Sequence, residues 1–466
     1  MARRIAPGLS LPKHAGFLGK LFRETQFRGS VHTDLEARFA ASSDFGNIIR
    51  RTPAAVLRPH TPGDVAEAFR HCQNYGVEFA VRGKAHSTNG QALTEGVVID
   101  LSTLNRIDSV TPTQVVVGAG SSWREVLART LPLGLTPPVL TDYLGLSVGG
   151  TLSVGGLGGT SFMHGSQADN VAAVEAVTAN GEIIHCSAAV HADLFDVILC
   201  GLGQCGAIAS ATLELITAPT RVRRFKIAYQ HLHELIDVQC RLLKEARFDY
   251  LEGQIYWDDA GRWIYAVEVA KFLDSSESID DTSLLAGLCP DPASVEISET
   301  TYLQFLERIE PSITCFKLSG EWEQTHPWLN LFLPGSRTID FVKRTLAELQ
   351  PDHIGPSGVI LLYPITRARL RRPMMRVPDE ELVFLFALLR TIPHNAVDGP
   401  MVSNDEIYKM ARSVGGAIYP VGTANLTFDD WKQQLREMWP VLQAAKERYD
   451  PKHLLANGQN IFSVAE

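Results

Sequence analysis

The chain has 466 residues, of which 45% are hydrophobic and 20% are charged, a composition that is ordinary for a soluble globular protein. This length exceeds what one hydrophobic core usually organises, so two domains are expected. The net charge of −9 argues against nucleic-acid and membrane partners, because both would attract a basic surface.

The N-terminal segment and the cysteines bear on location and metal binding. Met1 to Gly8 begin with positive charge but lack the apolar run of a signal peptide, and no stretch reaches the roughly 18 apolar residues that cross a bilayer. A cytoplasmic location is therefore expected. The seven cysteines are odd in number and form no CxxC or Cys/His cluster, which favours reduced thiols and predicts no metal site.

Hydrophobic spacing predicts short elements that alternate along the first half of the chain, as in an α/β or α+β protein. The predicted elements are a helix at 35–39, strands at 77–82, 96–100, 114–118 and 210–215, and helices at 123–130 and 431–449. Longer amphipathic helices and Trp-containing strands begin near Thr220. We place domain boundaries accordingly, with 1–219 as one domain, 220–419 as a second, and 420–466 returning to the first.

Two glycine-rich segments could hold a ligand. Residues 144–165 place Leu and Val regularly between glycines, whereas a flexible linker would lack such apolar residues. We favour a loop that is not a core element, but packs on the protein with one side and exposes backbone N–H groups on the other. The turn at 82–91 follows a strand and offers N–H, hydroxyl and amide groups that suit a pyrophosphate. Taken alone, His86 in this turn would be interpreted as a hydrogen-bonded surface residue.

Common nucleotide and hydrolase signatures are missing from the sequence. It has no GxGxxG that follows a predicted strand and precedes an acidic residue by about twenty positions, no Walker A lysine motif, no HExxH and no GxSxG elbow after a predicted strand. A Rossmann dinucleotide fold is therefore not indicated.

Several motifs in fixed order resemble those of the cytokinin dehydrogenases, which have the vanillyl-alcohol-oxidase (PCMH) type of FAD-binding fold. The matching segments are Gly83-Lys84-Ala85-His86-Ser87, Leu140-Thr141-Asp142-Tyr143-Leu144, Val148-Gly149-Gly150-Thr151-Leu152-Ser153, His164-Gly165 with Asn170-Val171, Asp193-Leu194-Phe195, Gly201-Leu202-Gly203-Gln204, His326-Pro327-Trp328-Leu329-Asn330, Leu362-Tyr363-Pro364, Asp450-Pro451-Lys452 and Gly458-Gln459-Asn460-Ile461-Phe462. The resemblance runs from about Ala41 to Phe462. It implies a two-domain α+β fold whose substrate domain is an antiparallel sheet covered by helices.

The resemblance also implies which residues hold FAD. In this family the histidine of the first motif carries the flavin covalently, a role that falls to His86. The segment 149–159 contains no cysteine for a second attachment, so one bond is expected. The remaining cofactor-contacting positions that the resemblance implies are Gly83, Lys84, Ala85, Ser87, Asn89, Gln91, Thr141, Asp142, Gly149, Gly150, Thr151, Ser153, Gly203, Ile208, Tyr419 and, on a C-terminal strand, Gln459.

Two carboxylates are candidates for catalysis. Asp142 resembles the family's catalytic aspartate, which takes a proton as hydride leaves a carbon next to nitrogen or oxygen. Outside this context Asp142 would be an ordinary turn or capping residue. Glu268 aligns with a glutamate that reaches toward the substrate, although a carboxylate on a predicted strand can equally be solvated or ion-paired.

The substrate half departs from the family pattern more than the flavin half does. Ala85 replaces a glycine, which would cost roughly 1 kcal/mol if this position has positive φ. Leu140 replaces a tryptophan and Pro420 replaces a leucine. Ala456 replaces a serine, and the arginine-rich segment 365–372 replaces a Trp-Asp pair.

The sequence is therefore compatible with three functions. The first is oxidation of an N6-isoprenoid adenine to adenine and an aldehyde, with a small-molecule substrate and with oxygen or a quinone as electron acceptor. The second is oxidation of an alcohol or secondary metabolite. The third is a flavin-binding relative without redox turnover, acting as a cyclase or binding module. The presence of both His86 and Asp142 argues against the third.

Overall fold

The computed structural model describes residues 27–258, 260–288 and 295–462. The expectations about the N-terminal segment and about Cys289 lie outside these ranges. The six cysteines within them are all free. None of the helices in these ranges is both long enough and apolar enough to cross a membrane.

The chain alternates helices with strands of four sheets. The strands are β1 Ser30–His32, β2 Ala55–Arg58, β3 Phe79–Arg82, β4 Val97–Asp100, β5 Ile107–Val110, β6 Gln114–Gly118, β7 Leu135–Thr136, β8 Val171–Thr178, β9 Ile183–Ser187, β10 Gly206–Glu214, β11 Ile216–Thr217, β12 Arg221–Tyr229, β13 Tyr250–Trp257, β14 Trp263–Leu273, β15 Val295–Thr301, β16 Leu329–Pro334, β17 Val359–Thr366, β18 Leu382–Leu389 and β19 Ala417–Ile418. The helices are α1 Leu35–Ala40, α2 Pro62–Tyr75, α3 Trp123–Thr130, α4 Val148–Leu152, α5 Ser161–His164, α6 Ala192–Ile198, α7 Leu232–Glu245, α8 Asp281–Leu285, α9 Tyr302–Leu306, α10 Glu310–Ser319, α11 Thr338–Glu348, α12 Pro351–Ile354, α13 Asp398–Ser413, α14 Phe428–Leu435 and α15 Trp439–Tyr449.

Two small sheets build the part of the molecule that precedes β12. The first has the order β1-β2-β4-β3, with β4 parallel to both of its neighbours. Helix α2 connects β2 to β3, and the Thr61 side chain caps it just before Pro62. The second sheet is antiparallel, with the order β5-β6-β10-β8-β9. Apolar residues of α2, β3, β4 and β10 pack together between these sheets.

An eight-stranded antiparallel sheet contains the strands from β12 to β19 in the order β15-β12-β14-β13-β17-β18-β16-β19. Successive residues of each strand point to opposite faces of the sheet. One face packs against the apolar sides of helices α7, α11 and α13, which bury Leu235, Phe341 and Ile407. The other face is turned toward the glycine-rich segments of the first half. Charged residues of the strands therefore lie between the large sheet and these segments.

The α+β fold class is confirmed, with an antiparallel sheet covered by helices. Strand β6 and helix α3 have the predicted bounds, and the other predicted strands agree within a few residues. The chain division at 219 and 420 stays a prediction. The C-terminal segment does pair with the first sheet, since Phe79 N donates to Leu454 O at 2.9 Å.

Three local predictions were wrong. The tail helix is interrupted, because Arg436 adopts a φ of 48° and a new helix starts beside Pro440. The segment 144–165 contains helices α4 and α5, and Val148 and Leu152 are fully buried in the core. The high glycine content suggested a loop outside the core, but these glycines instead permit the segment to pack closely within it. Gln459 lies on a short 3₁₀ helix at Asn457–Gln459, whereas a strand was expected.

Candidate active site

A cavity of about 1030 Å³ lies between the glycine-rich segments and the large sheet. Every position that the sequence predicted to contact FAD lines it, with one exception. The exception is Asn89, whose side chain donates to Ala424 O at 3.3 Å and whose backbone N–H donates to Gln91 Oε1. Both predicted catalytic carboxylates, Asp142 and Glu268, also line the cavity.

The side chain of Asp44 stabilises the turn that carries His86. The carboxylate accepts hydrogen bonds from Ser87 Oγ at 2.9 Å and from Gly90 N at 2.8 Å. Burial raises the pKa of Asp44 to about 6, despite these hydrogen bonds. Ala85 has a φ of 54°, and a positive φ is unfavourable for any residue with a Cβ. The Ala85 side chain therefore strains the turn.

His86 is enclosed by aromatic rings. Phe45 stacks on it with ring centroids 3.9 Å apart, and His326 stacks on the opposite face of Phe45 at 4.0 Å. Desolvation lowers the pKa of His86 to about 4, although part of the ring stays accessible from the cavity. The imidazole is therefore neutral near pH 7, the form that can act as a nucleophile.

The two glycine-rich segments touch each other beside His86. A Cβ on Gly83 would lie 2.2 Å from Ser147 Oγ, and one on Gly149 would lie 2.6 Å from the Cβ of Ala119. Only glycine permits such close approach. Gly203 has a φ of 68°, and a Cβ there would meet no atom within 4 Å.

These features fit a flavin dinucleotide. Among the described residues, none accepts a hydrogen bond from the backbone N–H of Ala85, His86 or Ser87. Unpaired amides at a cavity wall suit phosphate or ring oxygen acceptors. The wall formed by 83–87, 149–153 and 203–208 would hold the cofactor, with the imidazole of His86 at its inner end.

Asp142 lines the cavity from the loop before α4. Its Oδ1 atom accepts hydrogen bonds from Arg308 Nη2 at 2.7 Å and from Tyr250 Oη at 3.1 Å. Its Oδ2 atom forms no hydrogen bond with any described residue. One oxygen thus anchors the carboxylate while the other is available to a ligand.

Glu268 lies on β14, as its strand prediction required, and is ion-paired. Arg308 Nε lies 2.6 Å from Oε1, and Arg224 Nη2 lies 2.5 Å from Oε2. Burial alone would raise the pKa of Glu268, but the two guanidinium groups outweigh it and lower the pKa below its ordinary value. Glu268 is therefore a fixed negative charge that holds Arg308.

Sequence reasoning missed three residues of this site: Tyr250, Glu252 and Arg308. Tyr250 and Glu252 lie two residues apart on β13, Glu252 lines the cavity, and it is directly opposite Glu268 on β14. A glutamate in the middle of each of two apolar strands was the signal that could have found them. Arg308 follows α9 in an ordinary charged stretch and offered no such signal.

The departures from the family pattern have different surroundings. Pro420 lines the cavity, whereas Leu140 is buried behind it. Ala456 adopts a φ of 58° and its carbonyl accepts from Gln204. The arginines of 365–372 lie outside the cavity, where they pair with acidic residues such as Asp169.

Two family models match the chain. One, described as cytokinin dehydrogenase 1, FAD and cytokinin binding, matches residues 256–462, and one described as an FAD binding domain matches residues 53–187.

Similar proteins have been described in bacteria and plants. An uncharacterized oxidoreductase, ORF5 in the fasciation locus of Rhodococcoides fascians, is 38% identical over 92% of this chain and 98% of its own length. Cytokinin dehydrogenase 10 of Oryza sativa subsp. japonica is 34% identical over 98% of this chain and 93% of its own length.

Among solved structures, 6-hydroxy-D-nicotine oxidase from Arthrobacter nicotinovorans superposes with a TM-score of 0.74 at 20% identity. The match covers 94% of this chain and 98% of that one. A chitooligosaccharide oxidase also superposes with a TM-score of 0.74, at 16% identity, over 96% of this chain and all of its own. At these identities the similarity concerns the fold.

Proposed function

Because the chain belongs to the cytokinin dehydrogenase family of FAD-dependent oxidoreductases, we propose that it oxidises N6-isoprenoid adenines to adenine and an aldehyde. FAD is held by a covalent bond to His86 and supplies the hydride acceptor. Asp142 accepts the N–H proton as hydride leaves the adjacent carbon, and the resulting imine hydrolyses.

The observation that carries this proposal is the asymmetric environment of Asp142. Arg308 and Tyr250 both bind Oδ1, and Oδ2 has no hydrogen-bond partner among the described residues, in a side chain that lines the cavity. A general base needs an ionised oxygen within hydrogen-bond reach of the proton that it takes. The fixed Oδ1 orients the carboxylate, and the free Oδ2 meets this requirement.

Support for covalent attachment comes from His86 itself. Its neutral imidazole lines the cavity between aromatic residues, and the neighbouring backbone N–H groups of Ala85 and Ser87 are unpaired among the described residues. Attachment would fix the cofactor against the wall that the two glycine-rich segments form.

The test is anaerobic reduction of the enzyme-bound flavin. Isopentenyladenine should bleach the yellow chromophore, and mass spectrometry should find adenine and an aldehyde. Readmitting air, or adding a quinone under argon, then identifies the electron acceptor. A flavin that isopentenyladenine leaves oxidised would contradict the proposed substrate.

Oxidation of an alcohol is the second candidate, and the substrate side of the cavity favours it at one position. Pro420 lines the cavity where the family pattern has a leucine that packs on the substrate. Bleaching by a member of an alcohol panel, with no response to isopentenyladenine, would select this function. A flavin that is reduced neither by isopentenyladenine nor by any alcohol of the panel would instead support the binding or cyclase alternative.

A further inference from the structure

Five ionisable side chains that line the cavity form a cluster with one tyrosine, Tyr250. Its acids are Asp142, Glu252 and Glu268, and its bases are Arg224 and Arg308. Glu252 and Glu268 are each only 2% exposed. If all three carboxyl groups were ionised, the cluster would carry a net negative charge inside the protein, which is costly. A single proton on one carboxyl group makes the cluster neutral.

The contacts of the Tyr250 hydroxyl favour such a proton. Tyr250 Oη lies 3.1 Å from Asp142 Oδ1 and 3.0 Å from Glu252 Oε2, and it also accepts a hydrogen bond from Arg308. A hydroxyl has one proton to donate. It cannot donate to two ionised carboxylates at once, whereas a proton on one of them would let that carboxyl group donate to Tyr250 while the hydroxyl donates to the other.

The proton belongs to Glu252. Arg308 contacts both Asp142 and Glu268, whereas no described cation lies within ion-pair distance of Glu252. Its other neighbour is Gln254, whose Nε2 donates to Oε1 at 3.1 Å. Burial, followed by the charge of Asp142, raises the pKa of Glu252 well above its ordinary value.

The register of the large sheet gives a second reason. Glu252 on β13 and Glu268 on β14 are paired directly across the two strands. Like charges at such a pair are destabilising, most of all when they are buried. Two arginines hold Glu268 in the ionised form, so neutralising Glu252 removes the repulsion.

We propose that Glu252 is a positioning residue that acts on Asp142 through Tyr250. The protonated Glu252 donates to Tyr250 Oη, and the Tyr250 hydroxyl then donates to Asp142 Oδ1. This order keeps Asp142 ionised and directs its unpaired Oδ2 toward the substrate. The role rests on the proposed function of Asp142 as the base, but the proton on Glu252 can be tested without any substrate.

The groups around Glu252 set the sign of the pH effect. Tyr250 and Gln254 flank it on its own strand, while Glu268 lies on β14, Tyr363 on β17, Asp142 on the loop before α4 and Arg308 after α9. When Glu252 loses its proton at high pH, Tyr250 loses its donor and a second negative charge faces Asp142. The rate of flavin reduction should therefore fall on the alkaline side.

Infrared spectroscopy of the holoenzyme tests the proton directly. At pH 8, where the Asp44 carboxyl group is mainly ionised, the wild-type protein should show the carbonyl stretching band of a protonated carboxylic acid, shifted in D2O. This band should vanish in Glu252→Gln and persist in Asp142→Asn. A band that persists in Glu252→Gln overturns the proposal, whether or not isopentenyladenine proves to be the substrate.

Flavin-reduction kinetics test the positioning role, with whichever substrate bleaches the flavin. The amide of Glu252→Gln can donate to Tyr250 at every pH, so the alkaline decline should disappear in this variant. Glu252→Leu has a similar volume but no donor, and it should reduce the flavin about tenfold more slowly than Glu252→Gln. Equal rates in the two variants, with both melting near the wild-type temperature, would overturn the proposal.

Discussion

Arg308 Nη2 and Asp142 Oδ1 are 2.7 Å apart, and this contact joins the loop before α4 to the segment after α9. Tyr250, Asp142, Glu268 and Glu252 together raise the pKa of Arg308 well above its ordinary value, although burial alone would lower it. The guanidinium is thus a permanent cation. It fixes one oxygen of Asp142, whereas the other oxygen has no hydrogen-bond partner among the described residues.

We expect Asp142→Asn to slow flavin reduction by roughly 10²–10⁴, the usual contribution of a positioned general base. The amide keeps the contact of its oxygen with Arg308 but cannot accept the substrate proton. Stopped-flow bleaching under anaerobic conditions measures the rate. Asp258→Asn, at an exposed ion pair with Arg262, is the control and should match the wild type. A rate within threefold of wild type in Asp142→Asn would remove Asp142 from the mechanism.

His86→Ala should abolish covalent flavin attachment. Wild-type protein denatured in acid should stay yellow after gel filtration, because the proposed bond would keep the cofactor on the chain. The same treatment should leave His86→Ala colourless. His185→Ala changes a largely exposed histidine on β9 and should keep the colour. Denatured wild-type protein that releases all of its colour would exclude the bond.

Lys446→Met should destabilise the protein and loosen the flavin wall. Lys446 Nζ is buried, lies 2.7 Å from Asp450 Oδ2 and donates to the carbonyls of Gln204 and Leu455. Breaking a buried pair commonly costs about 3–5 kcal/mol, because the remaining charge is left without its partner. Thermal melting measures the loss.

The matched control for this change is Lys452→Met. Lys452 is exposed and donates to a single carbonyl, that of Gln73. Its melting temperature should stay near that of wild type. Similar losses in the two variants would mean that the buried pair has no special role.

Ala85→Gly should stabilise the protein by up to about 1 kcal/mol, because glycine adopts positive φ without steric cost. The φ of Ala85 is 54° in the turn that carries His86. Chemical denaturation gives the free energy of unfolding. Ala444→Gly, at an exposed position inside helix α15, should have the opposite sign and lose about 1 kcal/mol. Destabilisation by Ala85→Gly would show that the turn is not strained.

The flavin side of the site could be predicted because it depends on short, local motifs. His86 and Ser87 in one segment, and Gly149 to Thr151 in another, line the same cavity. Their glycines allow close backbone contact, which leaves a visible pattern in the sequence. Asn89 shows the limit of this reasoning, since Ser87 and Gln91 line the cavity while the Asn89 side chain donates to Ala424 O.

The sequence alone determined the family, the α+β class and the positions of His86 and Asp142, because these depend on residue order and on local backbone requirements. Only the tertiary structure decided which groups surround Asp142. Arg308, Tyr250 and Glu252 come from distant segments, and the register of β13 against β14 brings Glu252 opposite Glu268. Protonation states follow from burial and from such neighbours, and neither can be deduced from spacing along the chain.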